Sequence, residues 1–89
     1  MNAIITVVGT DQVGIIARIS TYLSLHGINI IDITQTILSG NFVMTMMVDL
    51  SKSDISIQDN KTELNSLGDG LGVSINIMHE RVFSAMHRI

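Results

Sequence analysis

Apolar and polar positions along this chain repeat with two different periods, and the changes of period predict an order of strands and helices. A β-branched run over residues 3–8 predicts a buried first strand. Apolar residues then recur at three- and four-residue spacing, which predicts a helix over about residues 13–25 that ends at His26-Gly27. The expected inward stripe of this helix is Ile15, Ile16, Ile19, Tyr22 and Leu23.

Strict alternation predicts a hairpin in the middle of the chain. Residues 29–38 and 42–50 alternate as half-buried strands do, and Ser39-Gly40-Asn41 is a turn of hairpin length. In the first of these strands one face should hold Ile31, Ile33, Gln35 and Ile37, and the other Ile30, Asp32, Thr34 and Thr36. In the second strand the more apolar face should point into the core, with Phe42, Met44, Met46, Val48 and Leu50.

The C-terminal half of the chain repeats the pattern of helix and strand. Ser53 and Asp54 are candidate N-caps for a second amphipathic helix that ends at Gly72, and its inward stripe should be Ile57, Leu64, Leu67 and Leu71. Residues 73–78 alternate and predict a fourth strand. Residues 80–89 predict a short helix with one apolar face, formed by Val82, Phe83, Met86 and Ile89. A helix this short is not stable alone and must dock on its own domain, on a partner subunit or on another protein.

The resulting βαββαβ order predicts an α+β fold of the ferredoxin-like type. In this plan a central hairpin and two crossovers form a four-stranded antiparallel sheet with both helices on one face. We expect one domain over residues 1–79 and a C-terminal helical tail over residues 80–89.

The apolar content is high for a chain of this length. Of 89 residues, 46% are hydrophobic and the mean hydropathy is +0.44, whereas a domain this short buries only part of its apolar surface by itself. Some of that surface is therefore expected in a subunit interface, so we predict a homo-oligomer, most simply a dimer. No apolar run approaches the roughly 20 residues that span a bilayer, and no signal peptide is recognisable, which predicts a cytoplasmic protein without membrane contact.

Charge and residue types argue against several classes of function. A net charge of −3 with five Lys and Arg provides no basic surface for nucleic acid. Without cysteine there is no thiolate nucleophile or sulfur-ligated metal, and no serine lies in a G-x-S-x-G elbow, so we do not expect an enzyme or a cofactor. His26, His79 and His87 lack the spacing of paired metal ligands, although His79 and His87 would meet if the tail folded back.

The strongest candidate site is the strand, loop and helix of residues 4–16, because free N–H groups at a helix start converge on one point. Gly9 and Gly14 have the spacing of a P-loop, but isoleucines stand where lysine and a hydroxyl residue are needed, which excludes nucleotide binding there. The N–H groups suit a ligand carboxylate, Asp11 suits an ammonium group, and the Asn29 amide can both donate and accept. The alternative is purely structural: Thr10 or Asp11 caps the helix, Gly14 packs it, and Asn29 makes a turn.

The sequence resembles the ACT domain, a regulatory module that binds amino acids. The resemblance rests on GTDQVGI at residues 9–15, HGINI at residues 26–30 and the βαββαβ order over residues 2–78. Together with the tail from Met78-His79-Glu80 onward, the chain resembles the free-standing single-ACT proteins of the UPF0237 family, which are similar to the glycine cleavage system repressor type. The resemblance implies a dimer or higher oligomer with ligand between the first loop of one domain and the second strand of its neighbour. The implied site residues are Asp11, Gln12, Val13, Gly14, Asn29 and, more weakly, the flanking Ile28 and Ile30.

Two functional hypotheses follow from these observations. In the first, the protein senses a free amino acid or similar small ligand at a subunit interface and signals occupancy to a regulated partner. In the second, it is a protein-interaction module that uses a sheet edge or the C-terminal tail and has no small-molecule ligand.

Overall fold

The computed structural model describes residues 1–10 and 14–86. In chain order the elements are β1 (Asn2–Gly9), α1 (Ile15–Leu25), β2 (Asn29–Leu38), β3 (Asn41–Asp49), α2 (Ile57–Leu71), β4 (Ser74–His79) and α3 (Glu80–Met86). Over these residues the strands form one antiparallel sheet in the order β2-β3-β1-β4. The predicted ferredoxin-like fold and the short C-terminal helix are therefore confirmed.

The core lies between α1 and α2 and one face of the sheet. The face of β3 that was expected to point inward does so, because Phe42, Met44, Met46 and Val48 are at most 1% exposed. From the helices, Ile19, Leu23 and Leu64 join the same cluster. The alternation of the central strands therefore identified the core correctly, since a residue's neighbours in a strand necessarily point to the opposite face.

β2 differs from the other strands because all ten of its residues are exposed. A bulge between Ile30 and Asp32 shifts its register against β3. As a result Ile30 pairs with Val48 and Ile33 pairs with Met46, so both lie on the helix-facing side of the sheet. The prediction that Ile30 shares a face with Asp32 is wrong, because simple alternation does not anticipate an extra residue.

α2 is anchored by a polar contact with α1. Its N-cap is Ser56, not the expected Ser53 or Asp54, and the Ser56 hydroxyl accepts from the N–H of Asp59 at 3.1 Å. One turn later Asn60 is fully buried, with its Oδ1 accepting from the Tyr22 hydroxyl at 2.6 Å. Sequence reasoning missed this pair, because Tyr22 was expected in an apolar stripe.

α3 packs on the open face of the sheet, opposite the other two helices, and contacts β1 and β4. Ile4 lies between the core-facing Ala3 and Ile5 and so points to this open face, yet it is only 3% exposed. Phe83 of α3 is half-buried and lines a shallow cavity together with Ile4. α3 therefore docks on its own domain. The expected contributions of the Met86 side chain and of Ile89 lie outside what the structure describes. In the described part of the chain, no helix is long and apolar enough to cross a membrane.

Candidate functional site

The first loop joins the end of β1 to the start of α1. Gly14 holds the N-cap position with φ of 81°, a left-handed conformation that favours glycine, and a Cβ there would meet no atom of the described residues within 4 Å. The backbone conformation therefore favours glycine at this position. The N-cap is therefore Gly14 and not Thr10, whereas the prediction that Asp11 caps the helix lies outside the described residues.

Among the described residues, no side chain caps the start of α1. Glycine has no side chain that could accept hydrogen bonds from the first-turn N–H groups, and the Gly14 carbonyl accepts the N–H of Arg18 at 3.0 Å as the helix begins. Asp11, Gln12 and Val13 lie outside the described residues, so their assignment to the site stays a prediction.

The other predicted half of the site, around Asn29, lies far from this loop within one chain. Asn29 pairs with Asp49, which also pairs with Asn2 at the beginning of β1. The first loop follows Gly9 at the other end of β1. Seven residue steps of about 3.3 Å separate the two ends of β1, which amounts to about 23 Å. A site that contains both halves therefore requires two copies of the chain.

Asn29 lines a cavity of about 250 Å³ together with Gly27, Asp49, Ser51 and Lys52. Gly27 is held against the loop after β3, because a Cβ there would lie 2.6 Å from the carbonyl oxygen of Lys52, and its φ is 71°. The exposed Ile30, which was predicted to border the site, follows Asn29 in β2. Sequence reasoning missed Asp49 and Lys52, because only the pairing of β2 with β3 brings them to Asn29.

The Asp49 carboxylate is held by hydrogen bonds from Ser51. The Ser51 N–H donates to Asp49 Oδ1 at 2.9 Å, and the Ser51 hydroxyl donates to Asp49 Oδ2 at 3.0 Å. These bonds, the backbone one first, hold the pKa of Asp49 below its usual value. The N-terminal ammonium of Met1 lies 3.9 Å from Asp49 Oδ1. The cavity is therefore lined by Asp49, whose carboxyl group ionises more readily than usual, and by Lys52.

The described histidines, His26 and His79, each contact a polar group nearby. His26 ends α1, where its Nδ1 lies 2.7 Å from Asp54 Oδ1 and its Nε2 lies 3.8 Å from Glu63 Oε1. The His79 Nδ1 accepts the N–H of Arg81 at 3.0 Å. His87 lies outside the described residues. Over the ranges 1–10 and 14–86, no group of three or more His, Cys, Asp or Glu residues is arranged to hold a metal ion.

Comparisons with known proteins agree with the fold. The ACT domain family matches residues 2–78. A UPF0237 protein from Bifidobacterium longum is 52% identical over 88 residues, which cover 99% of this chain and 98% of that protein. Among solved structures, an ACT domain protein from Streptococcus pneumoniae has a TM-score of 0.82 at 36% identity, covering 100% of this chain and 97% of that one.

A more distant structural likeness involves a regulator of transcription. The structure of a putative glycine cleavage system transcriptional repressor has a TM-score of 0.70 at 26% identity and covers 86% of this chain and 44% of that one. The family match extends over most of the chain, and the identity to the Bifidobacterium longum relative extends over nearly all of it. The chain therefore belongs to the ACT domain family, and within it to the UPF0237 proteins.

Proposed function

We propose that this protein is a regulatory module that binds a free amino acid between two copies of the chain and signals its presence to a partner protein. The observation that carries the proposal is β2, an edge strand that is exposed along its whole length and bears several isoleucines. Edge strands of this kind present unpaired backbone groups and are ready to pair with another strand. A second copy of β2 satisfies both the backbone groups and the apolar side chains.

Antiparallel pairing of two β2 strands about a twofold axis would complete the predicted site. In such a pair the beginning of one strand lies beside the end of the other. β1 and β2 are both antiparallel to β3, so the end of β2 is the end of the sheet from which the first loop leaves. Asn29 of one copy would therefore approach the Gly14 loop of the other, which removes the separation of about 23 Å found within one chain.

The two halves are complementary to the charged ends of an amino acid. The first-turn N–H groups of α1 suit the ligand carboxylate, and Asp11 suits its ammonium group. Gln12 and Val13 contribute backbone to the loop, while Asn29 supplies an amide and Ile30 an apolar wall. Because ligand would contact both copies, occupancy favours one packing of the subunits, and a regulated protein that binds that packing senses the ligand.

The first experiment is a thermal-shift screen of the wild-type protein against the free amino acids, followed by calorimetry on those that stabilise it. A ligand at a hundredfold excess over its Kd stabilises the folded state by about 2.7 kcal/mol. Asp11→Ala and Asn29→Ala should each abolish the shift. Absence of stabilisation by every amino acid would refute the proposal.

A mixing experiment tests whether each site draws on two chains. Dissociating and reassociating equal amounts of the Asp11→Ala and Asn29→Ala proteins yields mixed dimers, each with one intact interchain site and one doubly altered site. About a quarter of the wild-type binding capacity should return in the mixture, since about half of the dimers are mixed. A site contained within one chain would recover none.

A second candidate function is a protein-interaction module without a small-molecule ligand. It is favoured by the same exposed β2 edge and by Val82, which is 51% exposed on α3. In this case a strand or helix of another protein covers the surface. The screen separates the two functions, because an interaction module is not stabilised by any amino acid.

A further inference from the structure

The cavity at the beginning of β2 contains charged groups that the proposed site does not use. It is lined by Asn29, Asp49, Ser51 and Lys52, whose side chains carry an amide, a carboxylate, a hydroxyl and an ammonium group. We propose that Asp49 and Lys52, on the Asn29 side of the site, share the ammonium and carboxylate groups of the amino-acid ligand with Asp11 and the α1 N–H groups of the other copy, because an ammonium has three donors and a carboxylate about four acceptor positions. This inference rests on the proposed function and extends it, because it assigns the Asn29 half its own charge recognition.

The Asp49 carboxylate is held in place with acceptor capacity remaining. A carboxylate has about four lone-pair positions, and the two bonds from Ser51 occupy one on each oxygen. These bonds orient the carboxylate before any ligand arrives. The nearby Met1 ammonium lies at 3.9 Å, beyond hydrogen-bond distance, and leaves the remaining positions open to a ligand ammonium.

The Lys52 ammonium lacks a close counter-ion in the described part of the chain. Within residues 1–10 and 14–86, no carboxylate oxygen lies within 4.0 Å of it, Asp49 included. Its backbone is nevertheless fixed, because the Ser53 N–H donates to the Leu50 carbonyl at 3.0 Å and closes the turn that carries Lys52. Gly27 packs directly against the Lys52 carbonyl. Two oppositely charged residues thus line one cavity without forming an ion pair with each other.

An α-amino acid fits this arrangement better than a plain anion or cation. Its ammonium and carboxylate groups are attached to the same carbon, so one molecule can bridge two opposite charges that do not reach each other. A simple carboxylate would not use the remaining acceptor positions of Asp49, and a simple amine would not supply Lys52 with a counter-ion.

The test compares Lys52→Gln with Lys61→Gln in the full-length protein. Both residues are exposed, and both changes remove one positive charge, but Lys61 lies on α2 and does not line the cavity. The probes are the amino acid that gives the largest shift in the screen and its carboxamide, which keeps the ammonium group and side chain but has no carboxylate.

We expect Lys52→Gln to weaken binding of the amino acid by about tenfold or more, since a charge-assisted hydrogen bond contributes about 1.5–3 kcal/mol. It should reduce the preference for the acid over the carboxamide by the same factor. Lys61→Gln should change neither quantity. The melting temperature without ligand should be the same in both variants, because Lys52 is exposed.

The outcomes separate this inference from the proposed function. If the wild-type protein binds an amino acid and the two variants weaken that binding equally, or not at all, the role of Lys52 is overturned. The proposed interchain sensor is unaffected by that result. An equal loss of acid and carboxamide in Lys52→Gln also overturns it, because the lysine then does not act on the carboxylate. If no amino acid binds the wild-type protein, both fail.

Discussion

Replacing Ile37 by lysine should separate the two copies without unfolding either one. Ile37 lies near the end of the β2 edge and is 61% exposed in the single chain. Complete burial of an isoleucine side chain contributes about 1.5–3 kcal/mol, so covering the remaining surface contributes about 1–2 kcal/mol per copy. A twofold interface counts the residue twice, which gives about 2–4 kcal/mol and raises the dimer Kd by about 30- to 1000-fold.

Sedimentation equilibrium over a range of protein concentrations measures this Kd directly. Val82→Lys is the matched control, because Val82 is 51% exposed but lies on α3, away from the β2 edge. The free energy of unfolding of the Ile37→Lys monomer, measured in urea, should lie within about 0.5 kcal/mol of that of the wild-type monomer, because the substituted side chain is exposed. The reasoning is wrong if the wild-type protein is a monomer at micromolar concentration, or if both lysine variants weaken the dimer equally.

The remaining predictions concern the free energy of unfolding, measured in urea. The m-values of the variants should be close to that of the wild-type protein. Tyr22→Phe should destabilise the protein by about 1–3 kcal/mol, because the buried Asn60 oxygen loses its donor, and a neutral result would contradict that contact. The pKa of Tyr22 is raised to about 12, chiefly by burial. The residue therefore stabilises the fold fully below pH 10 and progressively less as the pH rises from 10 to 12. In Tyr22→Phe this loss of stability between pH 10 and 12 should disappear. Gly70→Ala should stabilise α2 by about 0.5–1 kcal/mol, because a Cβ there meets no atom of the described residues within 4 Å. Gly68→Ala should destabilise it, because a Cβ there lies 2.7 Å from the carbonyl oxygen of Val73, and equal effects of the two changes would refute this distinction.

The order of elements and the core faces of the central strands were readable from the sequence. Period-two alternation assigned Met44 and Met46 to the core, and the change to helical spacing located α1 and α2. These features depend on residues close together in the chain. The glycine that enters α1 was also recognisable, although its role as the cap itself, with φ of 81°, was not.

Only the tertiary structure decided which distant residues meet. The bulge that moves Ile30 to the helix-facing side arises from pairing with β3, and burial of Asn60 depends on the approach of α1 to α2. The cavity that joins Asn29 to Asp49 and Lys52 likewise exists because two strands pair across about 20 residues of chain. Sequence periodicity shows which face of a helix or strand is apolar. The strand register and the contacts between segments depend on how those faces pack together.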